Sequence, residues 1–233
     1  MTILHQVGDM MKDFPIRFVL TDEAITPSAG LALVGYLLHR TKLDKRVNAL
    51  RLPTVRREVH ISHSDVIRSM IGLLATGKTD FDHIEAYRQD DIFSASMGIQ
   101  HVPSSPTLRQ RLDQLACLPM TETILWEESI RLLIQRHATL SPCWTKGRRA
   151  LVLVMGAFVY NLLRLIGQDL LSDPRHPLHH KVKRRRIKTI IQTVITMAGR
   201  LVRRSRQIWM KLTRRSGYSI LLLNVYQKWK EAR

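Results

Sequence analysis

The chain has 233 residues, 45% of them hydrophobic, with 37 Lys and Arg against 19 Asp and Glu for a formal net charge of +18. That composition excludes a chain disordered for want of apolar residues, and two cysteines exclude a disulfide framework or a thiolate metal site. Met1–Leu140 holds 16 basic and 16 acidic residues, whereas Ser141–Arg233 holds 21 basic residues and three acids, Asp169, Asp173 and Glu231; such asymmetry points to a polyanion, either nucleic acid or an anionic membrane surface.

The first residues lack a basic stretch followed by an apolar core, so no secretory signal is expected. Cys117 and Cys143 read as free thiols of a reducing cytosol. Pro15–Leu20 is a strand-like run. Ile25–Leu43 reads as a helix capped by Thr26, with Pro27 in the first helical position and Leu31, Val34, Leu37 and Leu38 on one face. Ser62–Gly77 reads as another, with Val66, Ile67, Met70, Ile71 and Leu74 inward and Gly77 closing it. A third is expected from Thr79 as cap, with Asp82 three residues on. Asp80, Asp82 and Glu85 near its start suit the helix dipole; a metal reading of them lacks a partner ligand.

In "SSPTLRQRLDQLA" Ser105 can cap a helix and Pro106 can start it. Leu108, Leu112 and Leu115 make a narrow buried stripe, and Arg109, Gln110, Arg111, Asp113 and Gln114 are expected outside. That outer face is a plain surface helix or one whose Arg and Gln reach base edges and phosphates. Glu122–Pro142 follows as an amphipathic helix. The uncharged run Ala150–Leu163 is 14 residues long, short of the roughly 20 needed to span a bilayer, and Asn161 and Arg164 interrupt its surroundings; a buried core helix is expected. His176, His179 and His180 sit in a Pro-containing linker without a thiolate or carboxylate beside them, so no metal site is assigned. From Lys181 to Gly217, Ile187, Ile190, Ile191, Val194, Ile195, Ala198, Leu201, Val202, Ile208 and Leu212 predict one long helix. Its polar face carries Arg184, Arg185, Arg186, Lys188, Arg200, Arg203, Arg204, Arg206, Lys211, Arg214 and Arg215 and no acid, a pattern suited to phosphate contact.

"GLLATGKT", Gly72–Thr79, matches the Walker A pattern letter for letter. A phosphate loop needs a strand before it, a helix after it and free backbone N–H groups between. Here a helical stripe runs into Gly77, so the expected reading is a helix end followed by a new cap.

Leu73–Ala116, "LLATGKTDFDHIEAYRQDDIFSASMGIQHVPSSPTLRQRLDQLA", resembles the N-terminal region of DDE transposases of bacterial insertion sequences, in particular the insertion-sequence thirteen-eighty family. "IRFVLTDEAITPSAGLALVGYLLHRTKL" resembles the segment that opens those proteins, and "VYNLLRLIGQ" with "AGRLVRRSRQIWMKL" resembles their C-terminal end. The resemblance implies an RNase H-like catalytic domain in which two aspartates and a glutamate hold divalent metals. Neither the strand context nor the late helix carrying those acids is present, since "SPCWTKGRRALVLV" joins the two matching regions directly. The resemblance therefore implies a transposase whose catalytic middle is missing.

The expected protein is mostly α. A helical, DNA-binding region at 1–140, with a helix-turn-helix-like element as an option, precedes a basic helical region at 141–233. DNA contact is assigned to Arg109, Gln110, Arg111, Arg184, Arg185, Arg186, Arg200, Arg203 and Arg204. No catalytic residue, metal ligand or cofactor is assigned; Mg²⁺ belongs to intact family members. The expected partners are duplex DNA, including terminal inverted repeats, and an intact transposase, in a cytoplasmic, nucleoid-associated setting. The alternatives are nucleotide binding at Gly72–Thr79 and a basic membrane-surface protein, with membrane the less favoured partner.

Overall fold

A computed structural model describes residues 16–21, 27–52, 61–135, 150–175, 186–204, 207–214 and 216–231. These are mostly helical. Arg184, Arg185, the histidines of the linker and Thr26 lie outside them, and of Arg204 only the backbone is described. The helices are α1 (Leu31–His39), α2 (Leu43–Asn48), α3 (His63–Ala75), α4 (Asp91–Met97), α5 (Ser105–Ala116), α6 (Pro119–Gln135), α7 (Ala150–Leu171), α8 (Ile187–Ile190) and α9 (Gly217–Glu231). A 3₁₀ helix spans Phe81–Tyr87, and one π-helical stretch, Ile191–Ile195, continues α8. Strands β1 (Ile16–Thr21), β2 (Gly199–Arg204) and β3 (Gln207–Thr213) form one sheet in the order β1-β3-β2.

The long basic helix expected from Lys181 to Gly217 is not formed. Its first part is helical, with Ile190, Val194 and Ile195 buried. After Gly199 the chain turns into the hairpin β2–β3, antiparallel with Leu201 across from Met210 and Arg203 across from Ile208. The cause lies in the period. Met210 and Leu212 are buried while Trp209 and Lys211 between them are half-exposed, the alternation of a strand with one face on a core. β1 then joins β3 in parallel, Ile16 across from Ile208 and Leu20 across from Leu212. Residues before and after Ser141 thus share one sheet, and they also share one contiguous core.

α7 runs through that core. It is longer than the uncharged run suggested and, among the described residues, is the one helix long and apolar enough to cross a membrane. Its Leu151, Val154, Met155, Phe158, Leu162, Ile166 and Leu170 are buried against other elements of the same chain, which is the packing of a core helix. Asn161, buried on α7, donates from Nδ2 to Ser129 Oγ of α6 at 3.2 Å.

α1 begins at Leu31, not at Pro27. Ser28 has a φ of 81°, which no α-helix accommodates, and the Ala29 N–H is taken by Met197 O at 2.8 Å. The expected helix from Thr79 is divided as well. Asp80 accepts from the N–H of Asp82 to start the 3₁₀ helix, and Asp90 accepts from the N–H groups of Ile92 and Phe93 to start α4, so two aspartates restart the chain within ten residues.

α1 crosses α4 at very short range because Gly35 has no side chain. A Cβ there would lie 1.7 Å from the backbone oxygen of Ser96. Gly35→Ala is expected to destabilise the fold. Alanine gains about 1 kcal/mol in helix propensity, but overpacking against rigid backbone costs about 1–3 kcal/mol or more. Thermal unfolding should show a lower Tm; a raised Tm would mean that α1 and α4 separate at little cost.

Candidate nucleic-acid interface

The hairpin concentrates the basic residues. Register places Arg200 directly across from Lys211, Val202 across from Trp209 and Arg204 across from Gln207. Arg200 is exposed, and Val202, Trp209 and Lys211 are half-exposed on the face turned from the buried Met210 and Leu212. Neither strand contains an acid of its own. Arg203 is 64% exposed near the hairpin tip, 3.9 Å from Asp91 at the start of α4. Arg214 is exposed just beyond β3, and Arg186 is exposed at the start of α8. Arg200, Arg203 and Arg186 therefore lie at the surface, although on strands and a loop and not on the one helix expected.

α5 places its residues differently. Its cap is Ser104, one residue earlier than expected, whose Oγ receives the N–H of Thr107 at 3.4 Å. Ser105 is instead held from below, its N–H donated to Glu85 Oε1 at 2.7 Å and its hydroxyl to Asp82. These two acids of the 3₁₀ helix thus anchor the N-terminus of α5. The Ser105 N–H, followed by Arg88, holds the Glu85 carboxyl below its ordinary value. α5 rests on this 3₁₀ helix and on α3, and 98–104 join it to α4. Leu108, Leu112 and Leu115 are buried as the spacing predicts.

Of the polar residues of α5, Arg109 and Gln110 are exposed, with the Arg109 guanidinium 5.4 Å from the centre of the Phe81 ring. Asp82 and Asp113 line the same shallow depression as Arg109 and Gln110, so the local charge is not strongly positive. Arg111 is a correction: it was expected outside and is buried, 6% exposed. It follows Leu108 by three residues and precedes Leu115 by four, so helical geometry puts it on the leucine face. Burial lowers its pKa. Its Nη2 donates to Nδ1 of His63 at 2.8 Å, while Nε2 of that ring lies 3.2 Å from Leu50 O. These partners select the neutral ring protonated at Nε2. His63 was not singled out in the sequence; its position just after the α3 cap, Ser62, is the one signal that marks it.

Gly72–Thr79 has the wrong polarity for a phosphate loop. Gly77, with φ 79°, donates its N–H to Leu74 O at 3.0 Å, and Lys78 donates its N–H to Leu73 O at 2.9 Å. This is a Schellman ending: the amides close the C-terminus of α3, whose dipole repels anions. The two acids of α7 and its end are engaged in packing. Asp169 receives Trp229 Nε1–H and Lys228 Nζ, each at 2.6 Å, and Asp173 receives Asn224 Nδ2 at 2.6 Å and the Arg175 N–H at 2.9 Å. A divalent metal would have to displace donors from both, so this pair does not fit one. In comparisons with known proteins, no family model matches the chain, and neither a curated protein nor a solved structure matches it.

The His63–Arg111 contact has a pH signature. Burial first, and then the Arg111 charge, push His63 below its ordinary value, against the Leu50 carbonyl, which favours the charged ring. The unfolded chain then takes up this proton before the folded one. The contribution is complete above about pH 6.5, the unperturbed histidine value, and is lost as pH falls. Chemical denaturation of wild type and His63→Gln at about pH 7.5 and about pH 5.5 should show the larger acid loss in wild type. Parallel losses would remove His63 from the acid response.

Proposed function

We propose that this chain is a DNA-binding derivative of an insertion-sequence DDE transposase, without catalytic activity, and that the hairpin β2–β3 and its flanks are its main contact with duplex DNA. The observation that carries the reading is the acid-free ribbon. Arg200 and Lys211 face each other across the strands, Arg203 stands near the tip, and Arg204 and Arg206 follow in sequence. A major groove admits a two-stranded ribbon as readily as a helix, and a dense run of cations without acids suits phosphate contact. Arg109 and Gln110 of α5 are the residues suited to reading base edges, with less electrostatic pull because two aspartates flank them. The missing catalytic core is supported by the chain's resemblance pattern and by the engagement of Asp169 and Asp173 in packing. Terminal inverted repeats and an intact transposase are the partners this origin suggests, in a nucleoid-associated cytoplasmic setting.

Neither alternative gains from the fold. Nucleotide binding would need amides that the end of α3 uses, and a membrane-surface form that uses Ala150–Leu163 would need that run to leave the core.

A salt titration of duplex binding tests the reading. Each phosphate contact contributes about 0.9 to the slope of log affinity against log salt. Arg200→Gln with Arg203→Gln should flatten that slope by up to about 1.8 with equal effect on terminal-repeat and scrambled duplexes. Absence of duplex binding by wild type at low salt would overturn the proposal.

Arg109→Ala separates reading from holding. It should cost about 1–3 kcal/mol on terminal-repeat DNA and little on a scrambled duplex. Equal losses on both would make α5 a surface helix with an incidental cation.

A further inference from the structure

Arg111 is a buried cation without a counter-charge. Its Nε has no hydrogen-bond partner, its Nη2 meets only the neutral His63 ring, and no described carboxylate pairs with it. Other buried charges among the described residues are answered. Arg68, 4% exposed, lays its guanidinium on Asp44 with two bonds of 2.7 Å. Glu128, fully buried, receives Arg46, Arg131 and the Lys42 N–H. An unanswered buried guanidinium is costly, and Arg111 is not enclosed on every side. With Asn48, Ile61, Ser62 and His63 it lines a cavity of about 220 Å³ open to solvent.

The same cavity meets the N-terminus of α3, a helix of 13 residues. Ser62 Oγ takes the Asp65 N–H at 3.0 Å and Asn48 Oδ1 takes the Ser64 N–H at 2.9 Å, which leaves the His63 N–H as the first-turn donor without a partner among the described residues. The acid of this turn, Asp65, is spent on the N–H groups of Gln100 and His101. The cavity is thus lined by a guanidinium, a neutral imidazole and the positive end of a helix dipole, with no described carboxylate on its wall. Helix N-termini bind anions through this combination of free N–H and dipole, and a guanidinium adds directed, charge-assisted donors. The volume is smaller than the roughly 300–1,000 Å³ of pockets for drug-sized ligands and exceeds the ~30 Å³ of one water several-fold.

We propose that this cavity is an oxyanion site that takes a single phosphate group between Arg111 and the first turn of α3. The group is either a backbone phosphate of bound nucleic acid or a free phosphate. The site itself does not depend on the chain binding duplex DNA.

The test uses the full chain and inorganic phosphate at constant ionic strength, with chloride as the balancing anion and Tm as readout. Millimolar phosphate should raise the wild-type Tm by a few degrees, as expected for a ligand that binds only the folded state. Arg111→Met should fold with an equal or higher Tm in phosphate-free buffer, because an unpaired buried charge is removed, and its Tm should not respond to phosphate. Arg111→Lys keeps the charge but loses the fork and should retain a reduced response, which decides the question even if the methionine variant fails to fold. The same phosphate response in wild type and in either variant overturns the proposal. In a duplex salt titration, a slope flattened by about 0.9 in Arg111→Met, beside the lost response, supports the site with a nucleic-acid phosphate as occupant; an unchanged slope beside the lost response supports it with a free phosphate.

Discussion

The fold depends on a contact between small residues at two distant points of the chain. Ala29 and Gly30 lie against the segment from Val194 to Gly199. The Ala29 N–H is bonded to Met197 O, a Cβ on Gly30 would stand 1.8 Å from Val194 O, and one on Gly199 would stand 2.3 Å from the Ala29 Cβ. The backbones can meet only because side chains are missing from both sides. This joint fixes where α1 can begin and where the π-helical stretch must end. It also sets the position from which β2 departs, and with it the basic hairpin.

Charge is handled in two contrasting ways. In the helical region, buried ions are matched by bidentate or multiple bonds, as at Arg68 with Asp44 and at Glu128 with its three donors. Such pairing makes burial tolerable and sets the relative orientation of α2, α3 and α6. In the C-terminal hairpin the basic residues have no acid on their own strands, and Arg200 and Arg203 are exposed. Arg111 belongs to neither group, being buried without a carboxylate, and that is why its cavity stands out.

Much of the helical core was legible from periodicity. Val66, Ile67, Met70 and Ile71, and then Leu108, Leu112 and Leu115, are buried where a 3.6-residue period puts them. The core position of α7 was expected because its uncharged run is short for a bilayer and is interrupted by Asn161 and Arg164; the helix is longer than that run, 22 residues, yet it packs in the core, where Asn161 meets Ser129. Two features were misread for one reason, that residue type outweighed position. Arg111 occupies a stripe position of α5, and its charge suggested the outer face. Ile208 and Leu212 fit a helical spacing of four, but Met210 between them completes an alternation that only a strand explains. The switch from period 3.6 to period 2 at Gly199 lay inside a single arginine-rich block, where the continuous charge masked it. The His63 contact lay beyond sequence reasoning because it joins α3 to α5 through a turn of each helix.

The parallel pairing of β1 with β3 carries a kinetic consequence. Ile16 meets Ile208 only after the roughly 190 residues between them have been made. Closing a loop of that length costs about 5 kcal/mol of chain entropy by the logarithmic rule, and contacts so distant in sequence slow folding. During synthesis the helices from α1 to α6 emerge and can pack locally while β1 still lacks its neighbour. The edge that β3 later covers therefore stays open until β3 itself emerges, an interval in which an unpaired strand is exposed to pairing with another chain.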